Sequence, residues 1–119
     1  MYKTKINHTQ KLFTKAQFEQ LVKNGKNRDQ DHAPVVKFFN PVGAATWLIS
    51  ELDEDDNYIA FGLCDMGFGC PELGIVDLRE LIDIQKHRML GIERDLWFEG
   101  KFPMSHYVDK ANEKGRITD

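Results

Sequence analysis

Four segments between residues 35 and 76 have the composition of β-strands, and their spacing constrains the fold more than any other feature of the chain. They are separated by turn-forming residues: Asn40-Pro41-Val42-Gly43 supplies a fixed φ and a permissive glycine, and residues 53–57 are disfavoured in strands. The second and third segments show alternating side-chain character, which predicts an antiparallel hairpin joined by an acidic loop. The predicted strands are residues 35–39, 44–52, 58–64 and 72–76.

Helix-start signals flank these strands. Thr14 and Gln17 have the spacing of a capping box, in which a side chain and a backbone N–H satisfy each other across the first helical turn. Asp77 and Glu80 repeat that spacing after the fourth strand. The chain therefore predicts helices from residue 14 to 25, from residue 77 onward and from the cap Ser105 to residue 111, with a further strand at residues 92–98.

The order of these elements predicts an α+β fold. We expect one domain over residues 1–119, with a mainly antiparallel sheet of four to five strands and two to three short helices packed on one face. A chain of this length buries about two thirds of its unfolded surface, which suffices for one core. The core is predicted at residues 12–107, and residues 108–119 are predicted to form a loose tail.

Composition excludes several classes of protein. No apolar run approaches the roughly 20 residues of a membrane span, and the N-terminal residues are polar where a signal peptide would be apolar. Two cysteines do not make a disulfide framework, so a reducing compartment is expected. These features predict a cytoplasmic protein without a membrane partner.

Charge is distributed unevenly along the chain. Residues 1–28 carry seven basic side chains and one acidic, whereas residues 29–80 carry two basic and eleven acidic. A basic first quarter is one way to contact nucleic acid, but its lysines are spaced singly without interleaved aromatic residues, which favours a solvated face. The lysines of this alternative are Lys3, Lys5, Lys11, Lys15, Lys23 and Lys26.

The loop at residues 65–71 contains two glycines and a proline, and loops of this kind often position functional groups. A phosphate cradle is disfavoured because the glycines lead toward a strand instead of a helix. A metal site built from Cys64 and Cys70 with His87 or His106 is disfavoured because the cysteine spacing is not that of a zinc knuckle. The favoured interpretation is a structural turn that lets Phe68 cover the core, with neither metal nor cofactor.

Arg94 lies in register with the apolar residues of the predicted strand 92–98. A buried arginine needs an anionic partner, either a carboxylate of this chain or a bound anion. The sequence therefore offers one cluster for a small enzyme or an anion-binding protein, although acidic residues and arginine also meet as structural ion pairs. Its members are Asp65, Glu72, Glu93, Arg94 and Asp95.

The chain also resembles a family of short bacterial proteins that is classified as a domain of unknown function. The resemblance extends from about Leu12 to Tyr107 and implies no established activity and no catalytic residues. Members of that family are common on plasmids, conjugative elements and phages, near genes for replication, transfer and resistance to host defences. The residues that carry the resemblance are Phe39-Asn40-Pro41-Val42-Gly43, Thr46-Trp47, Glu51-Leu52-Asp53, Phe61-Gly62-Leu63, Asp65, Gly67, Gly69, Pro71-Glu72-Leu73-Gly74, Leu78, Leu81, Ile92-Glu93-Arg94-Asp95, Ser105 and Tyr107.

Together these observations favour a non-enzymatic protein that binds a host or mobile-element protein, for example as an antagonist of a host defence system. The aromatic residues Trp47, Tyr58 and Phe68, beside the acidic loop, suit a recognition surface. The Arg94 cluster gives the alternative of a small enzyme or anionic-ligand binder, and the N-terminal lysines give the third, nucleic-acid contact.

Overall fold

The computed structural model describes residues 12–41, 43–87 and 92–119. Over these residues the chain forms a five-stranded antiparallel sheet and three helices, which confirms the α+β fold class. The elements are α1 (Lys15–Gly25), β1 (Val36–Phe39), β2 (Thr46–Leu52), β3 (Ile59–Asp65), β4 (Glu72–Asp77), α2 (Leu78–His87), β5 (Glu93–Arg94) and α3 (Met104–Lys114).

The sheet has the strand order β4-β3-β2-β1-β5, so the first four strands form a meander and β5 joins the outer side of β1. The ladder between β2 and β3 shifts register between Ile49 and Glu51. A bulge of this kind places an extra residue on one strand and reverses the alternation beyond it. As a result Glu51 lies opposite Phe61, while Leu52 lies opposite Ala60 on the other face of the sheet.

Helices cover both faces of the sheet. α1 and α2 pack on the face that carries Trp47 and Ile49, together with buried residues such as Leu21 and Leu81. α3 packs on the opposite face, where Leu48 and Leu63 form a second buried cluster with residues of that helix. The expectation that all helices share one face is therefore wrong for α3, because the leucines make that face of the sheet apolar as well.

α1 begins as its sequence predicts. Thr14 accepts a hydrogen bond from the Gln17 backbone at 3.1 Å, and the Gln17 side chain accepts one from the Thr14 backbone at 3.0 Å. Gly25 ends the helix without adopting a left-handed conformation. It lies instead against β2, where a Cβ on Gly25 would stand 1.7 Å from the carbonyl oxygen of Leu52.

The last quarter of the chain departs most from the predictions. The strand expected at residues 92–98 is only two residues long, because the Asp95 carboxylate accepts the backbone N–H of Trp97 at 2.9 Å and turns the chain. Ser105 is not a cap but lies inside α3, and its N–H donates to Asp31 Oδ1 at 3.1 Å. A residue distant in sequence thus performs the capping role.

Residues 108–119, expected as a loose tail, are packed against the sheet. α3 continues to Lys114 and ends at Gly115, which has φ 74° in the left-handed conformation typical of a C-terminal glycine. The Ile117 N–H then donates to the buried Asp65 carboxylate at 2.9 Å. None of the described helices is long and apolar enough to cross a membrane.

Candidate functional site

β4 forms one edge of the sheet, and within the described residues no other strand pairs with its outer side. The Leu78 N–H donates to the Tyr58 carbonyl, and this bond shows which residue pairs between β3 and β4 are hydrogen-bonded. Because bonded and non-bonded pairs alternate in an antiparallel ladder, the N–H and C=O groups of Leu73 and Ile75 point away from β3. The edge therefore presents backbone donors and acceptors to an incoming strand.

Apolar side chains cluster along this edge. Ile75 is 68% exposed, Phe68 is 86% exposed, and Met66 and Leu73 are about half exposed. Together with Cys64, Cys70, Glu72 and Gly74 they line a groove of about 510 Å³, which we call the β4 groove. Large apolar side chains gathered at one exposed place are typical of interaction sites.

The position of Phe68 overturns one prediction and leaves another open. Phe68 does not cover the core, because Gly67 and Gly69 both adopt positive φ, near 88° and 82°, and the loop carries the ring outward. Asp65 holds the start of this loop by accepting the Gly67 N–H at 2.8 Å. Phe68 thus lies where an interaction residue would lie.

Carboxylates flank the β4 groove on the face that carries α2. Glu72 is exposed at the start of β4, and Glu80 is exposed on the first turn of α2, in a second shallow groove that Ile75 also lines. Asp77 lies between them, and its Oδ1 accepts the backbone N–H of Arg79 at 3.0 Å. The edge therefore combines apolar contacts with negative charge.

Two of the predicted aromatic residues have structural roles. Trp47 is 5% exposed and belongs to the core, so it is not part of a surface. Tyr58 is half-buried, with the Arg79 guanidinium carbon 5.0 Å from the ring centroid. Arg79 also forms a 2.6 Å ion pair with Asp56, so this group stabilises the acidic loop.

The predicted cluster around Arg94 is divided between the two edges of the sheet. Arg94 on β5 pairs with Phe38 on β1, whereas Glu72 on β4 pairs with Cys64 on β3, so four strand spacings separate Arg94 from Glu72, about 19 Å. Burial lowers the pKa of Arg94, which nevertheless stays charged at neutral pH. The cluster does not assemble as one site.

The carboxylates of that cluster have separate surroundings. Asp65 is buried and binds two backbone N–H groups, those of Gly67 and Ile117. Asp95 lies 3.7 Å from Lys37 Nζ, which also contacts Asp119 at 2.6 Å. Glu93 is exposed at the β5 edge. These contacts are those of structural ion pairs and turns.

Glu51 is the residue with the most unusual environment, and sequence analysis did not select it as a site residue. It is 7% exposed, and its Oε2 atom has no hydrogen-bond partner among the described residues. Burial raises the pKa of this carboxyl, and the nearby charges of His32 and Arg28 partly offset the rise. A buried acceptor without a partner costs about 1–3 kcal/mol.

Glu51 lines a cleft of about 450 Å³ between the loop after α1, the bulge of β2 and the start of α3. Two hydrogen bonds fix its mouth: Met104 N–H donates to the His32 carbonyl at 2.9 Å, and Ser105 N–H donates to Asp31. We call this space the Glu51 cleft. Its lining is Arg28, Asp29, Gln30, Asp31, His32, Ser50, Glu51, Phe61, Leu73, Met104, Ser105, Val108 and Asp109.

The two cysteines of the chain belong to no grouping of possible metal ligands in the described residues. Cys64 and Cys70 are free thiols, and burial raises the pKa of Cys64, which keeps it protonated. No three His, Cys, Asp or Glu side chains of the described residues are grouped so that they could hold a metal ion. The side chain of His87 and the lysines at positions 3, 5 and 11 lie outside those residues; Lys15, Lys23 and Lys26 are exposed on or beside α1.

Comparison with known protein families shows which family the chain belongs to. One family model, described as a protein of unknown function (DUF2958), matches residues 12–118, nearly the whole sequence. The chain belongs to the DUF2958 family. This confirms the expected domain of unknown function, and the match includes the packed C-terminal residues. No curated protein and no solved structure matches the chain.

The sequence indicates Phe68 and Glu72 of the β4 groove as candidate residues, but it does not indicate Leu73, Ile75 or Glu51. Leu73 and Ile75 alternate with Glu72 and Gly74 at the start of β4, but only the strand order shows that β4 is an edge. Glu51 precedes Leu52 in a strand that alternates normally in sequence, and nothing local indicates the bulge. Trp97, 91% exposed, was placed in a strand that ends before it.

Proposed function

We propose that this DUF2958 protein binds another protein by accepting an extended segment of that protein against β4. The observation that carries the proposal is the open edge of β4, where outward backbone groups and exposed apolar side chains occur together. Strand addition uses this combination: main-chain hydrogen bonds provide affinity, and alternate side chains provide specificity.

The chemistry of the edge specifies the chemistry of the partner. Leu73, Ile75 and Phe68 favour apolar side chains on one face of the incoming strand. Glu72 and Glu80 favour basic side chains on the other face, because opposite charges on adjacent strands attract. The expected ligand is therefore an extended segment in which apolar residues alternate with lysine or arginine.

A second copy of the chain fits the edge less well than such a segment. Antiparallel pairing of two β4 strands would bring the carboxylates of Glu72 and Glu80 in each copy to the same junction. Like charges placed close together across strands are destabilising. A basic partner removes this repulsion and adds attraction.

The resemblance of the sequence to proteins of plasmids, conjugative elements and phages supports a more specific form of the proposal. The partner would be a host or mobile-element protein, and the bound chain would act as an antagonist of a host defence system. Both cysteines are free thiols, which supports action in a reducing compartment such as the bacterial cytoplasm.

Hydrogen exchange with a synthetic strand tests the proposal directly. The probe is a capped heptapeptide of alternating lysine and valine, and the control is the same peptide with glutamate for lysine. We expect the lysine peptide to bind at least tenfold more tightly at low salt, with the difference narrowing as salt screens the charges. On binding, the amides of Leu73 and Ile75 should gain protection from exchange, whereas those of Gly74 and Val76 already bond to β3.

Two variants separate backbone pairing from side-chain contact. Ile75→Pro removes an outward N–H without removing a β3–β4 bond, and it should abolish peptide binding while the chain stays folded. Ile75→Thr keeps that N–H and should only weaken binding. Peptide binding without new protection at Leu73 and Ile75 would refute strand addition. Concentration-dependent protection of these amides without peptide would show instead that the occupant is a second copy.

A further inference from the structure

The Glu51 cleft holds a buried carboxylate oxygen that no group of the described residues satisfies. Buried polar atoms in folded proteins are nearly always hydrogen-bonded, so each exception calls for an explanation. The bulge in β2 creates this one, because it turns Glu51 toward the face of Phe61 and away from α1. The carboxylate thus points into the cleft.

Hydrogen bonds at the neighbouring Ser50 fix the strand that carries Glu51, so the strand holds the carboxylate in the cleft. Asn24 Nδ2 donates to the Ser50 carbonyl at 2.9 Å, and Gln20 Nε2 donates to Asn24 Oδ1 at 2.7 Å. The Ser50 hydroxyl donates to the Phe61 carbonyl at 3.3 Å. A preformed geometry of this kind lowers the entropy cost of ligand binding.

The charge of the cleft favours a cation. Its lining contains four carboxylates, Asp29, Asp31, Glu51 and Asp109, against two basic side chains, Arg28 and His32. Arg28 also lies 3.6 Å from Asp53 outside the cleft. His32 directs Nε2 to the Asn27 carbonyl at 2.7 Å, so this nitrogen carries a proton and donates to the loop.

The walls of the cleft favour an apolar body attached to the cation. Phe61, Leu73, Met104 and Val108 contribute apolar surface beside the carboxylate. Sites for small ligands commonly combine such walls with a few polar groups that fix orientation. An alkyl chain would contact these walls while its charged end reaches Glu51.

We propose that the Glu51 cleft binds a protonated amine or guanidinium carried on a short alkyl chain, with Glu51 Oε2 accepting its N–H. A free polyamine and the lysine or arginine side chain of a protein both supply this chemistry. Leu73 lines both this cleft and the β4 groove, but Glu51 belongs to the cleft alone, so the test does not depend on strand addition at the β4 edge.

The test is a titration followed by NMR with n-butylammonium, n-butylguanidinium and the neutral control 1-butanol. We expect the side-chain carboxyl carbon of Glu51 and the ring of Phe61 to shift with both cations, and butanol to bind at least tenfold more weakly. Spermidine represents a free polyamine, and lysine amide acetylated on its α-nitrogen represents a protein lysine side chain with its charge kept. The compound that binds more tightly identifies the source of the ligand.

Matched variants assign the interaction to Glu51. Glu51→Gln keeps the size of the side chain and should weaken n-butylammonium binding at least tenfold. Glu113→Gln removes one negative charge from an exposed position of α3 that does not line the cleft, and should change n-butylammonium binding less than about twofold. Equal binding by the wild type and Glu51→Gln, or no shift of the Glu51 carboxyl in the wild type, would overturn the proposal. A response of Glu51 to Mn²⁺ but to neither cation would overturn it in favour of a metal site.

Discussion

Gly25→Ala should destabilise the fold strongly, although alanine is the better helix former. The new Cβ would stand 1.7 Å from Leu52 O and 2.9 Å from Leu52 C, and both atoms belong to the backbone of a central strand. Non-bonded heavy atoms ordinarily lie about 3.5 Å apart, so the end of α1 must move away from β2 by more than about 1 Å. That movement also strains the buried hydrogen bond from Asn24 to the Ser50 carbonyl.

The expected loss follows from these two effects. Overpacking costs about 1–3 kcal/mol, and the weakened buried hydrogen bond adds about 1–3 kcal/mol. The higher helix propensity of alanine returns about 1 kcal/mol. We expect a net loss of about 2–4 kcal/mol, which lowers the urea midpoint by about 1–2 M.

Urea unfolding followed by tryptophan fluorescence measures this loss. Trp47 is buried and reports on the core, whereas Trp97 is already exposed and changes little. The matched control is Gly74→Ala, where a Cβ meets nothing within 4 Å, and we expect a change within about 0.5 kcal/mol. If Gly25→Ala and Gly74→Ala have the same midpoint, the close approach of α1 to β2 is not as described.

Three further substitutions or deletions test other contacts. Burial raises the folded pKa of Glu51 above its ordinary value near 4.5, so its ionisation destabilises the fold as pH rises through the folded pKa. Glu51→Gln should therefore be more stable than the wild type by about 1 kcal/mol at pH 7. Urea unfolding at a series of pH values should show the free energies of unfolding of the two proteins becoming equal below about pH 4.5. A difference in free energy that does not change with pH would contradict this reasoning. Thr14→Ala should cost about 1 kcal/mol of stability, and Thr14→Ser almost none, as thermal melts by circular dichroism would show. Deletion of residues 116–119 removes the N–H that donates to Asp65, and should cost about 1.5–3 kcal/mol; an unchanged melting temperature would show that this contact is unimportant.

The parts of the fold that sequence predicted are those that neighbouring residues determine. The capping box of Thr14 and Gln17 involves two side chains one turn apart, and the structure contains both of its hydrogen bonds. The same holds for the hairpin of β2 and β3, whose alternation is visible along the chain. In each case the interaction is complete within a few residues.

The errors arise where distant residues decide. Ser105 was expected to cap a helix, but Asp31 supplies the acceptor from another loop. The Arg94 cluster required strand neighbours that only the pairing of β5 with β1 determines, and that pairing separates Arg94 from Glu72. Glu51 enters its cleft because one extra residue in β2 reverses the alternation. None of these arrangements has a signal within one short segment.

The unequal pairing at the two edges of the sheet determines the order in which the native protein opens. β4 is joined to β3 by six residue pairs within a sequential hairpin, whereas β5 contributes only two pairs with β1, from a distant part of the chain. Ordering the long connection costs loop entropy, and two pairs offset little of it. Local unfolding should therefore begin at β5, so the Glu93–Arg94 amides exchange well before those of β2 and β3, while the β4 edge keeps its shape.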